Sequence, residues 1–393
     1  MIKKWILLFS IIPTLALADK TWITIDKDTI PAIREFLDIS YENIDSTGDI
    51  ELLEVSEHDL EKISHLMHDK FKRCGGYIYH DSKKEALETL YGEERRAVAK
   101  NFKFKNYEIS DDERIHQMLG QVNEARIRKT IEKLSSYHNR HYQSETGVEA
   151  LNWIKQKWSS LTSHRSDVKV EAIDHRKWKQ NSVILTIEGS ENPEEIIVIG
   201  GHGDSIGSGF WNRQKSKAPG ADDNASGIAT ITEIIKILMD NSFSPKKTIK
   251  FMAYSAEEVG LKGSAAIAKD MRTKKKNVVG VIQFDMTNYK GAEFNIYLIN
   301  DHTNKEQNEF LAQLIDTYVK VPWGYSKCGY ACSDHASWTS NGYPASFPFE
   351  ATFDGSNKKI HSARDTIEQS RGTADHAVNF AKLGLAYALE MQI

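Results

Sequence analysis

Three apolar runs between residues 196 and 284 restrict the fold more than any other feature of the chain. Residues 196–199, 249–254 and 278–284 are mostly unbroken rather than alternating with polar positions, which marks strands buried on both faces. Between the first two runs, residues 227–239 carry Ile228, Ile231, Ile234, Ile235 and Leu238 at helical spacing along one face. Parallel strands need crossover helices, so this alternation predicts an α/β fold, with a mostly parallel central sheet flanked by helices. Further helical stretches are expected at 127–134 and 148–161.

Each run ends close to a side chain that binds divalent cations. His202 follows the first, the adjacent Glu257 and Glu258 follow the second, and Asp285 follows the third. In open α/β sheets the crevice beyond the carboxyl ends of the strands is where sites form, so these groups converge on one rim. Asp222 and Asp223 lie in the loop that opens the helix at Gly227, and His361 stands far downstream. Alone, an aspartate there reads as an ordinary helix cap. A cap needs neither His202 nor Glu258, whereas imidazole nitrogen and carboxylate oxygen together are the donors of a metal site.

Four segments carry a resemblance: Gly200-Gly-His-Gly-Asp-Ser205, Pro219-Gly-Ala-Asp-Asp-Asn-Ala-Ser-Gly227, Ala256-Glu-Glu-Val-Gly-Leu-Lys-Gly-Ser264 and Phe284-Asp-Met-Thr-Asn-Tyr289. From about residue 107 onward the chain resembles the M28 family of zinc aminopeptidases, and within it the secreted bacterial leucyl aminopeptidases of the Vibrio type. The resemblance extends through Cys328-Gly-Tyr-Ala-Cys332 and Ile360-His-Ser-Ala-Arg-Asp-Thr366. It implies two Zn2+ bridged by Asp223, with His202 and Asp285 on one and Glu258 and His361 on the other. Glu257 is then left free as general acid and base, and Tyr330 becomes an extra donor to the oxyanion. It also implies an apolar pocket for the substrate's first side chain at Met286, Ile299, Cys332, Phe349, Phe353 and Ile360. This chain departs from the family at three places: Gly203 replaces a bulkier residue, Asn224 an aspartate and Ser356 an aromatic. These raise the expectation of a looser rim and a wider or wetter pocket.

Asp204, two residues beyond His202, is expected to accept the other ring N–H of that imidazole. His335 and Asp334 read as supports beneath the cysteine loop. His80, His116, His138, His141, His175 and His376 lack partner spacing and read as structural.

A basic start, an apolar stretch and Ala16-Leu17-Ala18 make residues 1–18 a secretory signal peptide, too short for a permanent membrane anchor. Residues 19–105 differ in character and read as a small α+β propeptide-like lead domain, expected to cover the cleft until cut. The densely charged stretch 91–114 is its boundary, and residues 106–393 form the catalytic domain. In an exported chain, Cys328 and Cys332 are expected to pair as a disulfide, leaving Cys74 as the odd thiol, read as a small buried hydrophobe. The formal charge of −4 offers no basic excess for a phosphate backbone, so no nucleic-acid partner is expected.

The function expected is a secreted aminopeptidase acting on peptides or proteins with a free, apolar N-terminus, with its own lead domain as an inhibitor. The competing readings are a metallocarboxypeptidase, a glutaminyl cyclase on the same scaffold and a non-catalytic secreted metal-binding protein.

Overall fold

The fold is read from a computed structural model that describes residues 20–71, 73–91, 104, 105, 107–208 and 213–392. The leader expected at 1–18 and the middle of the charged boundary, 92–103 and 106, lie outside the described residues.

The central sheet has six strands: β5 (Val168–Ile173), β6 (Ser182–Ile187), β7 (Asn192–His202), β8 (Lys247–Tyr254), β9 (Asn277–Gln283) and β12 (Ala345–Ser346). Their spatial order is β12-β9-β7-β8-β6-β5. The four strands from β12 to β8 are parallel, while β6 and β5 add an antiparallel edge. The apolar runs mark the parallel strands because β7 serves two cores at once. Ile197 and Ile199 point into a cluster with the helices Glu145–Thr162, Gly227–Asp240 and Ala377–Glu390, while Ile196 and Val198 face Met252, Ile267 and Trp338 on the other side. The five apolar residues of Gly227–Asp240 predicted from spacing are each at most 1% exposed. Burying such a side chain contributes roughly 1.5–3 kcal/mol, so this face fixes the helix against the sheet.

The chain leaves β7 toward β8 on one side and returns from β8 to β9 on the other. That reversal opens a crevice at the carboxyl ends of β7, β8 and β9. Beside it a second sheet, ordered β11-β10-β13, joins β10 (Ile296–Ile299), β11 (Trp323–Ser326) and β13 (Pro348–Phe349).

Residues 20–91 form a four-stranded antiparallel sheet ordered β2-β3-β1-β4, from β1 (Lys20–Asp26), β2 (Tyr41–Thr47), β3 (Ile50–Ser56) and β4 (Tyr77–His80). Its core of Ile23, Ile25, Ile33, Leu53, Leu60 and Ile63 is separate from the main one. It docks on the crevice through Ser64 Oγ to the Glu258 carbonyl at 2.9 Å and Tyr77 OH to the Val259 carbonyl at 3.2 Å. A cavity of about 300 Å3 lies at the seam between the two parts, lined by Tyr79, Glu85, Lys269 and Arg272. It is set apart from the metal-type side chains. No helix among the described residues is long and apolar enough to cross a membrane.

Candidate metal centre

His202 is the last residue of β7, Glu257 and Glu258 follow β8, and Asp285 follows β9, so three neighbouring parallel strands deliver their ends to one point. Asp223 arrives from the turn preceding the helix Gly227–Asp240, and its two oxygens face different imidazoles. Oδ1 lies 3.1 Å from His202 Nε2, and Oδ2 lies 2.9 Å from His361 Nε2. Asp285 Oδ1 is 3.2 Å from His202 Nε2, and Glu258 Oε2 is 3.1 Å from His361 Nε2. The five side chains thus divide into two donor groups that share Asp223. Glu257 belongs to neither group, and its Oε2 is 4.0 Å from His202 Nε2.

All six carboxylate oxygens of Asp223, Glu257 and Glu258 are buried without a hydrogen-bond partner. The short separations of Asp223 and Glu258 from the imidazoles therefore lack hydrogen-bond alignment, as when lone pairs aim at a common point between them, whereas Asp285 Oδ1 is hydrogen-bonded to His202 Nε2 at 3.2 Å. A buried anion left so costs several kcal/mol, and divalent cations between the donors would offset that cost. The donor set thus fits two metal ions of the zinc type.

The charges behave accordingly. Burial opposes the cationic form of His361, but Glu258 and Asp223 outweigh it and push its pKa up to about 10. At His202 burial is likewise overcome, by Asp285 and Glu257, and the pKa rises well above the ordinary range. Burial would raise Asp223, yet the two histidines hold it below the usual carboxylate range. Glu257, which lacks such an arrangement, is pushed well above the glutamate range by burial, with Glu258 adding to the rise. A glutamate inclined to hold a proton beside a metal site is suited to proton transfer.

The turn at Asp223 is not capped by aspartate. Asn224 Oδ1 accepts the Gly227 N–H at 2.9 Å, and Asn224 Nδ2 donates to the Phe284 carbonyl at 2.9 Å. The amide does the capping, which leaves Asp223 to face the histidines. Gly227 is required here, because a Cβ would sit 2.3 Å from both Asn224 Oδ1 and the Phe284 carbonyl.

Asp204 does more than expected. Its oxygens accept the N–H groups of Glu257 at 3.1 Å and Glu258 at 3.3 Å, while His202 Nδ1 stands 3.5 Å away and out of hydrogen-bond alignment. It therefore orients the glutamate pair at least as much as the imidazole. Ser333 Oγ donates to Asp285 Oδ2 at 2.7 Å.

Sequence reading missed four residues that position the site. Arg140 is buried and donates to the carbonyls of Gly203 and Gly220, each at 2.9 Å, and also to that of Pro219. Asp365 accepts the N–H groups of Asp222 at 3.2 Å and Asp223 at 3.1 Å. Glu350 holds the Tyr289 N–H at 2.7 Å. His68, from the lead segment, lies against His361 with the rings tilted by 46° and their centroids 4.1 Å apart, and its Nε2 is 3.5 Å from Glu258 Oε2. These contacts span 60 or more residues of sequence, and no local pattern announces them.

Met286, Ile299, Tyr330, Cys332, Phe347 and Phe349 form one buried cluster beside the centre, with Phe353 and Ile360 packed against it. All six expected pocket positions fall in it, and Phe347 is the addition. Cys328 and Cys332 are disulfide-bonded. Ser356 Oγ is turned to the Phe353 carbonyl at 2.8 Å, so its hydroxyl is engaged by backbone. At Gly203 a Cβ would lie 2.8 Å from Leu151 Cδ1, so Leu151 already occupies the space and the rim is filled.

His335 stacks on Phe347 and is held neutral by burial, its pKa down to about 3, while Asp334 accepts from Gln283 at 2.9 Å. Cys74 is buried but not among apolar groups. Its Sγ is 3.4 Å from His361 Nε2, and its N–H donates to Tyr330 OH at 2.9 Å. The expectation of a simple buried hydrophobe is corrected accordingly.

Fold and site together place this chain among metal-dependent hydrolases of the α/β type. The chain belongs to peptidase family M28, whose model matches residues 182–386. A probable aminopeptidase of Saccharomyces cerevisiae is 31% identical over 87% of this chain and 92% of its own length. Leucine aminopeptidase 1 of Uncinocarpus reesii is 37% identical over 72% of this chain and 74% of its own. Among solved structures, LapB from Legionella pneumophila superposes with a TM-score of 0.80 at 31% identity, covering 95% of this chain and all of that one. Coverage that wide takes in the lead segment as well as the M28 region.

Proposed function

We propose that this M28 peptidase is an exported aminopeptidase that uses two zinc ions to release apolar residues, leucine among them, from free N-termini. The observation that carries the reading is the placement of the Asp223 oxygens against two different histidines. His202, Asp223 and Asp285 would hold one cation, and Asp223, Glu258 and His361 the other. A cation pair supplies Lewis acidity, polarising the scissile carbonyl and acidifying the attacking water.

Glu257 takes the proton from that water and returns it to the leaving amine, a role its high proton affinity and unpartnered oxygens favour. Asp204 fixes the main chain of Glu257 and so the direction of its carboxylate. Tyr330 OH, once released from Cys74, donates to the developing oxyanion. The cluster of Met286, Ile299, Cys332, Phe349, Phe353 and Ile360 receives the first side chain of the substrate.

The supporting relatives are named as aminopeptidases. A carboxypeptidase needs a cation for the substrate's carboxylate; of the buried guanidiniums near the site, Arg140 is committed to backbone carbonyls, and Arg213 donates to Ser64 Oγ of the lead segment at 3.2 Å. A purely structural metal protein has no use for the uncommitted Glu257. Residues 1–18 serve as the export signal, and residues 19–105 cover the cleft until cut.

Leucine p-nitroanilide turnover by zinc-loaded protein trimmed near residue 105 tests the reading. Hydrolysis with about two zinc ions per chain supports it. No hydrolysis of any aminoacyl anilide by fully loaded, folded protein overturns it.

A further inference from the structure

The lead segment reaches the metal centre with one nucleophilic atom. Cys74 Sγ is 3.4 Å from His361 Nε2, and donor atoms of Cys74, Asp223, Glu258 and His361 all lie within 4.8 Å of one another. The second observation is independent of the cysteine. Asp223 and Glu258 are no more than 2% exposed, and their oxygens turn into this same space with no hydrogen-bond partner.

The backbone is shaped to deliver the sulfur there. Gly75 and Gly76 have φ of +51° and +76°, and a Cβ on Gly75 would come within 2.9 Å of the Gly260 nitrogen. Arg73 anchors the turn from the other side, to Asp26 at 3.2 Å and Asp28 at 2.9 Å, with its guanidinium over the Tyr330 ring.

The two donor groups are unequal. His202, Asp223 and Asp285 number three, while the other group numbers four once Cys74 is counted. Zinc with four protein donors is closed, whereas a catalytic zinc keeps three and an open position. We propose that Cys74 is a fourth ligand of the cation at His361 and Glu258, closing that position while the lead segment is docked and opening it when the segment leaves. The proposal rests on the metal reading above. On binding, the S–H bond breaks, a sulfur–metal bond forms, the proton passes to solvent, and one coordinated water is displaced. Neither oxidation nor reduction is involved.

Cobalt substitution of the full chain provides a test that does not depend on turnover. The chain has three cysteines, and two of them form the disulfide, so a sulfur-to-cobalt charge-transfer band can arise from Cys74 alone. The band is expected in the uncut wild type. It is expected to be lost in Cys74→Ser and Cys74→Ala, with the weaker ligand-field bands retained as proof of loading. Trimming the wild type near residue 105 removes the band as well, which covers the case of a variant that fails to fold. Cobalt bound to the uncut wild type without the band overturns the thiolate and leaves the metal centre standing. An uncut chain and a trimmed chain that both bind no cobalt overturn the metal centre and this proposal with it.

Discussion

Glu257 and Asp223 are both buried carboxylates of one crevice, and what separates them is their neighbours. Asp223 lies between two imidazoles that favour its anion, whereas Glu257 has none at hydrogen-bond distance and favours its proton. Replacing Glu257 with Gln should therefore lower kcat by about 10²–10⁴, with the metal content of the purified protein unchanged. Steady-state kinetics with metal analysis on the same sample checks this. The histidines give a second expectation. Without metal, His361 holds its proton up to about pH 10 and Glu258 up to about 7, so metal uptake must displace protons. Apparent zinc affinity should rise with pH between 5 and 8, by about tenfold per unit for each proton displaced, as titration with a competing chelator would show. The donor types that the fold brings together were legible in the sequence because metal chemistry draws on His, Asp and Glu, here near strand ends. The neighbours that tune them, Arg140, Asp365 and His68, were not, because they arrive from distant segments.

At the scale of elements, the turn into the helix Gly227–Asp240 carries the Asp223 carboxylate that faces both histidines, and Asn224 ties it to the end of β9. Asn224→Ala should lower stability by about 1–3 kcal/mol through the unsatisfied Gly227 N–H and Phe284 carbonyl. Denaturant melts of the metal-free chain measure that loss. The same turn rests on buried acids. Burial raises Asp222 to about 6, and it raises Glu350 and Asp365 well above the carboxylate range. Acids with raised pKa stabilise the fold below their unfolded value, and that stability is lost as pH rises through the folded value. Relative to the wild type, Glu350→Gln should therefore gain Tm in the metal-free chain as pH rises from 5 to 8, a difference in which the groups common to both chains cancel. The parallel strands were readable because alternate residues of β7 enter opposite cores, so polar positions were excluded. The antiparallel edge was not, because β5 is partly exposed along its length and its pairing is set by contact with β6.

At the scale of the whole molecule, the lead segment and the M28 region meet across a charged seam. Lys177 pairs with Asp81 at 2.6 Å, Lys269 pairs with Glu85, and Lys262 lies over the Tyr79 ring at 4.7 Å. The two ion pairs are partly exposed, so they contribute little each and are screened by salt, whereas Lys262 is buried; the seam should hold by the buried contacts at Lys262, Ser64, Tyr77 and Cys74. Trimming near residue 105 should raise turnover of leucine p-nitroanilide, and equal rates before and after trimming would exclude a covering role. An independently packed lead segment was legible from its change of character, but its depth of reach was not. That depth depends on the Cys74-Gly75-Gly76 turn meeting Gly260, which no sequence pattern records.

The proposed chemistry and the proposed covering role both rest on the carboxylate shared by the two donor groups. Anomalous scattering from crystals of the zinc-loaded protein addresses it most directly. Two zinc peaks roughly 3.5–4 Å apart, one on each oxygen of Asp223, are the expected result. A single peak, or two that do not share Asp223, would contradict it.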